Sequence, residues 1–390
     1  MIENIIKREV DKIYADLMSK PISIANLYVG ELGSLLFLLE YQLFNKIDDS
    51  DLSERVFNTI QNSLKNRQGV SICSGLSGLA WFLQYCLNRK LLDKDEFYEL
   101  QKQIDEAIFF TALDYYKDGN HDFMHGGDGV IFSLLYRLGA GAEVSRLILS
   151  LFNKTKENSK TNEKGVYWPE LDDTLEKYKN KEIVTFGLAH GLASKIALMA
   201  RIVKSYPNNR EAFHLLMSTI HFVNQNRLIN KESIFPSCLI DKQPDEYSRL
   251  AWCHGDLAVA YSLCFAGDVL NDKEIMNSGI EIANHSITRT LSSSGVVDTS
   301  LCHGSAGLAM LYLKIFEISG DLTFKKEGIS WLNKTIAFNA ENHDLEGYCF
   351  QTPDARVPEV GLLNGIAGVG LMYLSYLKKG KMSWSECLLL

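Results

Sequence analysis

The chain has 390 residues, of which 46% are hydrophobic and 23% charged, with only seven prolines and a formal net charge of −8. This composition excludes a disordered or collagen-like protein and is that of a soluble globular chain long enough to bury a large core. The acidic balance, with no continuous Lys/Arg stripe, excludes a phosphate-backbone binder, so nucleic acid is not an expected partner.

The opening stretch MIENIIKREVDKIY has no basic segment followed by an apolar one, so no secretory signal is expected. Apolar runs such as LGSLLFLLEYQLF fall short of the roughly 20 residues that span a bilayer, so no transmembrane segment is expected. Eight cysteines, at 73, 86, 238, 253, 264, 302, 349 and 387, are too dispersed for a disulfide scaffold. They read as reduced thiols in a cytoplasmic protein.

Two kinds of helical segment alternate from the N-terminus onward. NIIKREVDKIYADLM is amphipathic at the 3.6-residue period, whereas VGELGSLLFLLEY, from Val29, is apolar nearly all round. The same contrast follows in LSERVFNTIQNSL and SGLSGLAWFLQY from Ser74, then in KDEFYELQKQIDEAIFFTALDYY and HGGDGVIFSLLY from His125. Residues 153–165, NKTKENSKTNEKG, read as a polar loop. HGLASKIALMAR begins at His190 and NREAFHLLMSTIHFVNQN follows it. HGDLAVAYSLCF from His254, DKEIMNSGIEIANHSITRTL, HGSAGLAMLYL from His303 and NGIAGVGLMYL from Asn364 complete the series.

The glycines at 30, 75, 126, 191, 255, 304 and 365 therefore mark seven repeats, spaced by 45, 51, 65, 64, 49 and 61 residues. Glycine at the helix start lets the chain turn, and a small residue three positions on lets backbones approach closely. Seven amphipathic and seven buried helices imply an outer ring around an inner ring. The first and last copies are as apolar as the middle ones and lack the polar caps of an open solenoid. An all-α, closed α/α toroid over residues 1–390, one domain, is expected. The stretches GVYWPEL, SIFPSCL and GYCFQTP read as short β hairpins on the face where the inner helices begin.

Closure gathers the starts of the inner helices at one end of the ring axis. Just before the glycines stand His125, His190, Cys253 with His254, Cys302 with His303, and Asn364, with Asp122 and Arg249 a few residues upstream. Cys253 and Cys302 occupy the same slot of adjacent repeats, so Cys253, Cys302 and His303 could hold one zinc ion with a fourth position open. The rival reading is a Cys302–His303 nucleophile and base, which leaves Cys253 without a role. His125 reads as a helix-start residue of structural importance only.

The motifs GLAHG at 187–191, WCHG at 252–255 and CHG at 302–304, in this order and within seven glycine-marked repeats, resemble the lanthionine synthetase C-like family. The resemblance implies the toroid, one zinc on Cys253, Cys302 and His303, and active-site roles for His190, Arg249 and Asp122, the last matched through DFMHGGDG. His254 stands where the best-known members carry tyrosine and is counted with the active-site residues. The implied activity is a stand-alone lanthipeptide cyclase, adding peptide Cys thiols to dehydroalanine or dehydrobutyrine to form thioether rings. The implied partners are a dehydrated precursor peptide, a separate dehydratase and an exporter, in the cytoplasm or at the membrane periphery through such a complex. Two alternatives remain at this point: glutathione addition to dehydroamino acids in proteins, and a zinc-dependent peptide-binding scaffold without catalysis.

Overall fold

A computed structural model describes residues 2–390 apart from 22, 48–49, 66–68, 172–177, 230, 246, 341–347, 349, 353 and 380–382. Cys349 and part of GYCFQTP lie outside the described residues. Amphipathic and apolar helices alternate as α1 (Ile2–Ser19) and α2 (Glu31–Asn45), α3 (Ser50–Lys65) and α4 (Leu76–Asn88), α5 (Lys94–Lys117) and α6 (Gly127–Tyr136), α7 (Ala142–Glu157) and α8 (Leu192–Ser205). The series continues with α9 (Arg210–Asn224) and α10 (Asp256–Leu270), α11 (Lys273–Ile287), the short α12 (Leu291–Ser294) and α13 (Ser305–Ser319), and α14 (Leu322–Ala340) and α15 (Ile366–Lys378).

The amphipathic members bury one stripe, as α3 does with Leu52, Val56, Thr59, Ile60 and Ser63. The apolar members are buried on nearly every side; α10 buries an unbroken run from Asp256 to Cys264. Each inner helix touches the next inner helix and α15 touches α2, so the inner ring closes. The result is the expected all-α toroid of seven inner and seven outer helices, with α12 as an additional turn. No helix among the described residues is long and apolar enough to cross a membrane.

Small sheets decorate the ring. β1 (Lys160–Asn162) and β2 (Gly165–Tyr167) form a hairpin, β3 (Glu170–Leu171), β4 (Glu182–Thr185), β5 (Cys238–Ile240) and β6 (Gln243–Pro244) form one antiparallel sheet in that order, and β7 (Phe350–Gln351) pairs with β8 (Arg356–Val357). The stretch 153–165 departs from the loop its composition suggests: α7 runs to Glu157 and a hairpin follows directly. Its polar residues are the solvent side of a last helical turn, while Thr155 faces inward and bonds Tyr116 and Asp128.

Repetition at the helix starts has a backbone cause. At five of the seven turns the carbonyl six residues before the marker glycine accepts from the first helical N–H, as in Ile24 O from Glu31 N at 2.8 Å, Asp298 O from Ser305 N at 2.9 Å and Glu359 O from Ile366 N at 3.0 Å. A Cβ on Gly30 would lie 2.0 Å from the Ile24 carbonyl, and one on Gly255 1.9 Å from that of Arg249, so no side chain fits. Gly255 also has φ of +94°, a region that disfavours other residues. Unbonded helix-start amides are thus satisfied by the turn itself, without side-chain caps.

Successive turns are also hydrogen-bonded to one another around the rim. Tyr28 N donates to Cys73 O, Cys73 N to Met124 O, Leu188 N to Trp252 O, Trp252 N to Cys302 O, Leu301 N to Leu363 O, and Leu363 N back to Tyr28 O. The third and fourth turns have no such bond among the described residues, and there a side-chain pair takes its place.

The C-terminal residues thread the centre of the ring. A 3-10 segment, Ser383–Leu388, buries Trp384, Cys387 and Leu388, and Leu389 and Leu390 continue it. Arg89 at the end of α4 bonds Ser383, whereas Tyr28 and Trp252 from two separate rim turns donate to the carbonyls of Cys387 and Leu388. The C-terminal segment is therefore anchored to the rim turns from within the ring. Trp384→Ala should destabilise the fold by about 3–5 kcal/mol through the cavity it leaves. Urea unfolding checks this, and a loss below about 1 kcal/mol would show that the plug is dispensable.

Candidate metal centre and catalytic cleft

The turns before α10 and α13 bring Cys253, Cys302 and His303 together. Their candidate ligand atoms all lie within 4.8 Å of one another, and both cysteines are free thiols. Register explains the meeting: each cysteine stands two residues before its marker glycine, and Cys253 N and Trp252 N both donate to Cys302 O. Hydrogen bonding from Cys302 pulls the Cys253 thiol well below its ordinary value despite burial, and His303 adds to this. One thiolate of the pair is thus favoured.

His303 has a partner that sequence reading missed. Its Nε2 is 3.3 Å from Asp298 Oδ2, leaving Nδ1 for the cluster. Asp298 is itself fixed by the amides of Ser300 and Gln351 at 2.9 and 3.0 Å. A carboxylate that orients a ligand imidazole and sets its tautomer is the usual support of a metal-binding histidine. Two thiols and one imidazole fit zinc, whose bonds to sulfur and nitrogen are about 2.3 and 2.0–2.1 Å, with one tetrahedral position left open.

A cleft of about 1190 Å³ opens beside this cluster and is lined in part by Asp122, Glu170, His190, Arg249 and His254. That exceeds the ~300–1,000 Å³ typical of small-molecule sites and suits an extended chain. His190 Nδ1 lies 2.7 Å from Asp122 Oδ2, the pair that joins the third and fourth rim turns. The other Asp122 oxygen accepts from His125 N at 2.6 Å, just as Ser71 and Ser300 in the same slot accept from Ser74 N and His303 N. One oxygen of Asp122 builds its turn, and the other holds His190.

Burial opposes a charge on His190, but the Asp122 carboxylate outweighs it and raises the ring to about 9, with Glu170 and Cys253 contributing. His190 is therefore an imidazolium at neutral pH. The same pairing holds Asp122 below its ordinary value against burial. Linkage follows with a definite sign: the His190 contribution to stability is complete below about pH 6.5 and is lost as pH rises through about 9. In Asp122→Asn only the opposing burial and weaker charges remain, so His190 should titrate well below its parent value. NMR of the imidazole protons measures it; a ring still titrating at about 9 would show that Asp122 is not the cause.

Arg249 is exposed in the cleft and packs against Gly295, where a Cβ would lie 2.8 Å from the Arg249 Cβ. The His254 ring is 6.3 Å from that of His190, its Nδ1 is buried without a hydrogen-bond partner among the described residues, and burial lowers the ring's pKa. The His125 N–H belongs to its turn, and its ring, exposed in the cleft, stacks on His190 at 5.7 Å.

Every residue selected from sequence thus reaches this rim. The residues missed are Asp298, Glu170 and a buried group around Lys195, whose Nζ pairs with Asp128 and donates to the His121 carbonyl at 2.8 Å. Asp298 was within reach of the repeat register, because it fills the slot of Arg249, six residues before the glycine.

Fold and rim together define a toroidal α/α protein with a thiolate-rich donor set suited to zinc beside a His–Asp pair. The chain belongs to the lanthionine synthetase C-like family, whose model matches residues 22–389. Nisin cyclase aligns with it over 98% of this chain and 97% of that one, with a TM-score of 0.77 at 18% identity, which shows a shared fold. A sugar epimerase from a ruminal bacterium also aligns, at 12% identity with a TM-score of 0.46 over 98% of this chain and 100% of that one, too weakly to carry an argument.

Proposed function

We propose that this chain, acting as one toroidal domain, is a zinc-dependent lanthipeptide cyclase that closes thioether rings in a dehydrated precursor peptide. The observation that carries this reading is the placement of a Cys253–Cys302–His303 donor set beside a peptide-sized cleft holding an acid, His190. When bound there, zinc would favour the ionised form of a substrate thiol.

The remaining chemistry falls to side chains. A peptide thiol adds to the β carbon of dehydroalanine or dehydrobutyrine, and negative charge builds on the adjacent carbonyl oxygen. The α carbon then needs a proton. His190, charged and aimed by Asp122, is the donor. Arg249, exposed in the same cleft, stabilises the developing enolate or anchors the peptide. The neutral His254 ring contacts the peptide between His190 and Cys253. Holding sulfur and alkene together in the cleft lowers the barrier further by removing their translational freedom.

A separate dehydratase would supply the substrate. The test is ring closure on a dehydrated peptide, which leaves the mass unchanged but removes one alkylatable thiol, read by mass spectrometry with and without a chelator. Closure that survives complete zinc removal would overturn the reading. Thioether formation with added glutathione and none within the peptide would favour the transferase alternative.

A further inference from the structure

Glu170 opens β3, opposite Ile183 of β4, and its side chain lines the cleft shared with Asp122, His190 and Arg249. The backbone before it is pinned: the Pro169 carbonyl is 3.0 Å from His121 Nε2, and Trp168 Nε1 donates to Thr155 O at 2.8 Å. His121 is held in turn by Lys195, so Glu170 and Asp122 hang from one buried network. The hydroxyl of Thr185 donates to Glu170 Oε1 at 3.4 Å.

No cation among the described residues forms an ion pair with Glu170. The charged groups acting on it are Asp122, His190 and Lys195, and both cations are already paired, with Asp122 and Asp128 respectively. Burial, reinforced by the Asp122 charge, outweighs those cations and raises the carboxyl to about 8. A carboxylic acid kept neutral in an active site can serve as a hydrogen-bond donor.

We propose that Glu170 is a catalytic residue of this cleft, whose carboxyl O–H donates to the carbonyl oxygen of the dehydroamino acid as enolate charge builds there. The inference rests on the cyclase reading above. As the C–S bond forms, the alkene π pair moves toward that oxygen, and the proton lost by the thiol is balanced by the one His190 delivers to the α carbon. Glu170 keeps its own proton throughout. An ionised Glu170 would repel the enolate.

The experiment compares the parent with Glu170→Ala and Glu170→Gln on a synthetic peptide carrying one cysteine and one dehydroalanine, with zinc content measured for each. Glu170→Ala should lose about 10²-fold in kcat at unchanged zinc content. Glu170→Gln, which keeps an N–H donor, should retain most of the rate near pH 7 and stay active through pH 8, where the parent declines. Equal rates in the parent and the alanine variant, or a glutamine variant as slow as alanine, would overturn the proposal. A substrate-free infrared difference spectrum, parent minus Glu170→Gln, should show a protonated carboxyl band that disappears near pH 8. Absence of that band at pH 7 overturns the proposal even if the alanine variant fails to fold. A parent that shows the band but closes no ring counts against the cyclase reading instead.

Discussion

His190→Gln is expected to slow ring closure by about 10²–10⁴-fold while leaving zinc content and fold unchanged. His190 touches neither the metal donors nor the core; its ring hydrogen-bonds Asp122 and faces the cleft. Its loss removes the proton source and the side-chain link between the third and fourth rim turns, so some stability is lost while the metal donors stay in place. In the parent, the donor form is present below about pH 9 and is lost above it. The rate should therefore fall as pH rises through that value, subject to the earlier decline assigned to Glu170. Single-turnover rates across pH 6–10 check this, and a glutamine variant within about threefold of the parent would remove His190 from the chemistry.

Cys302→Ala should abolish both stoichiometric zinc binding and ring closure. The cluster has three protein donors within 4.8 Å, and deleting one leaves a thiol and an imidazole, too few to hold the ion against dialysis. Asp298→Asn is the graded companion. It leaves all three donors in place but weakens the acceptor that orients His303, a change that typically costs about 10–100-fold in metal affinity. Metal analysis after dialysis and competition with a chromophoric chelator give both values. Full zinc in Cys302→Ala would place the metal elsewhere, and unchanged affinity in Asp298→Asn would deny it an orienting role.

The two results bear on different parts of the rim, and those parts were unequally visible in the sequence. Cys253, Cys302 and His303 were legible because repeated turns place equivalent slots at equivalent heights, and closure brings adjacent turns into contact. His190 and Asp122 were legible as rim residues, but their pairing was not, since either His190 or Arg249 stood within reach of Asp122. The end of α7 was misread because its four polar residues from Lys154 hide a single inward-facing position, Thr155. Glu170 went unnoticed because it comes from a short hairpin strand outside the repeat register.

Local spacing alone determined the seven helix pairs, the glycine at each inner helix start and the donor set. Each depends on interactions within one repeat or between equivalent slots of neighbouring repeats, and these recur with the sequence pattern. Tertiary structure decided the rest: the C-terminal plug at the ring centre, the Asp298 support of His303, and the opposite protonation logic of His190 and Glu170. A charge state depends on burial and on carboxylates brought in from turns, strands and helices that are distant in the chain. Those distances exist only once the ring has closed.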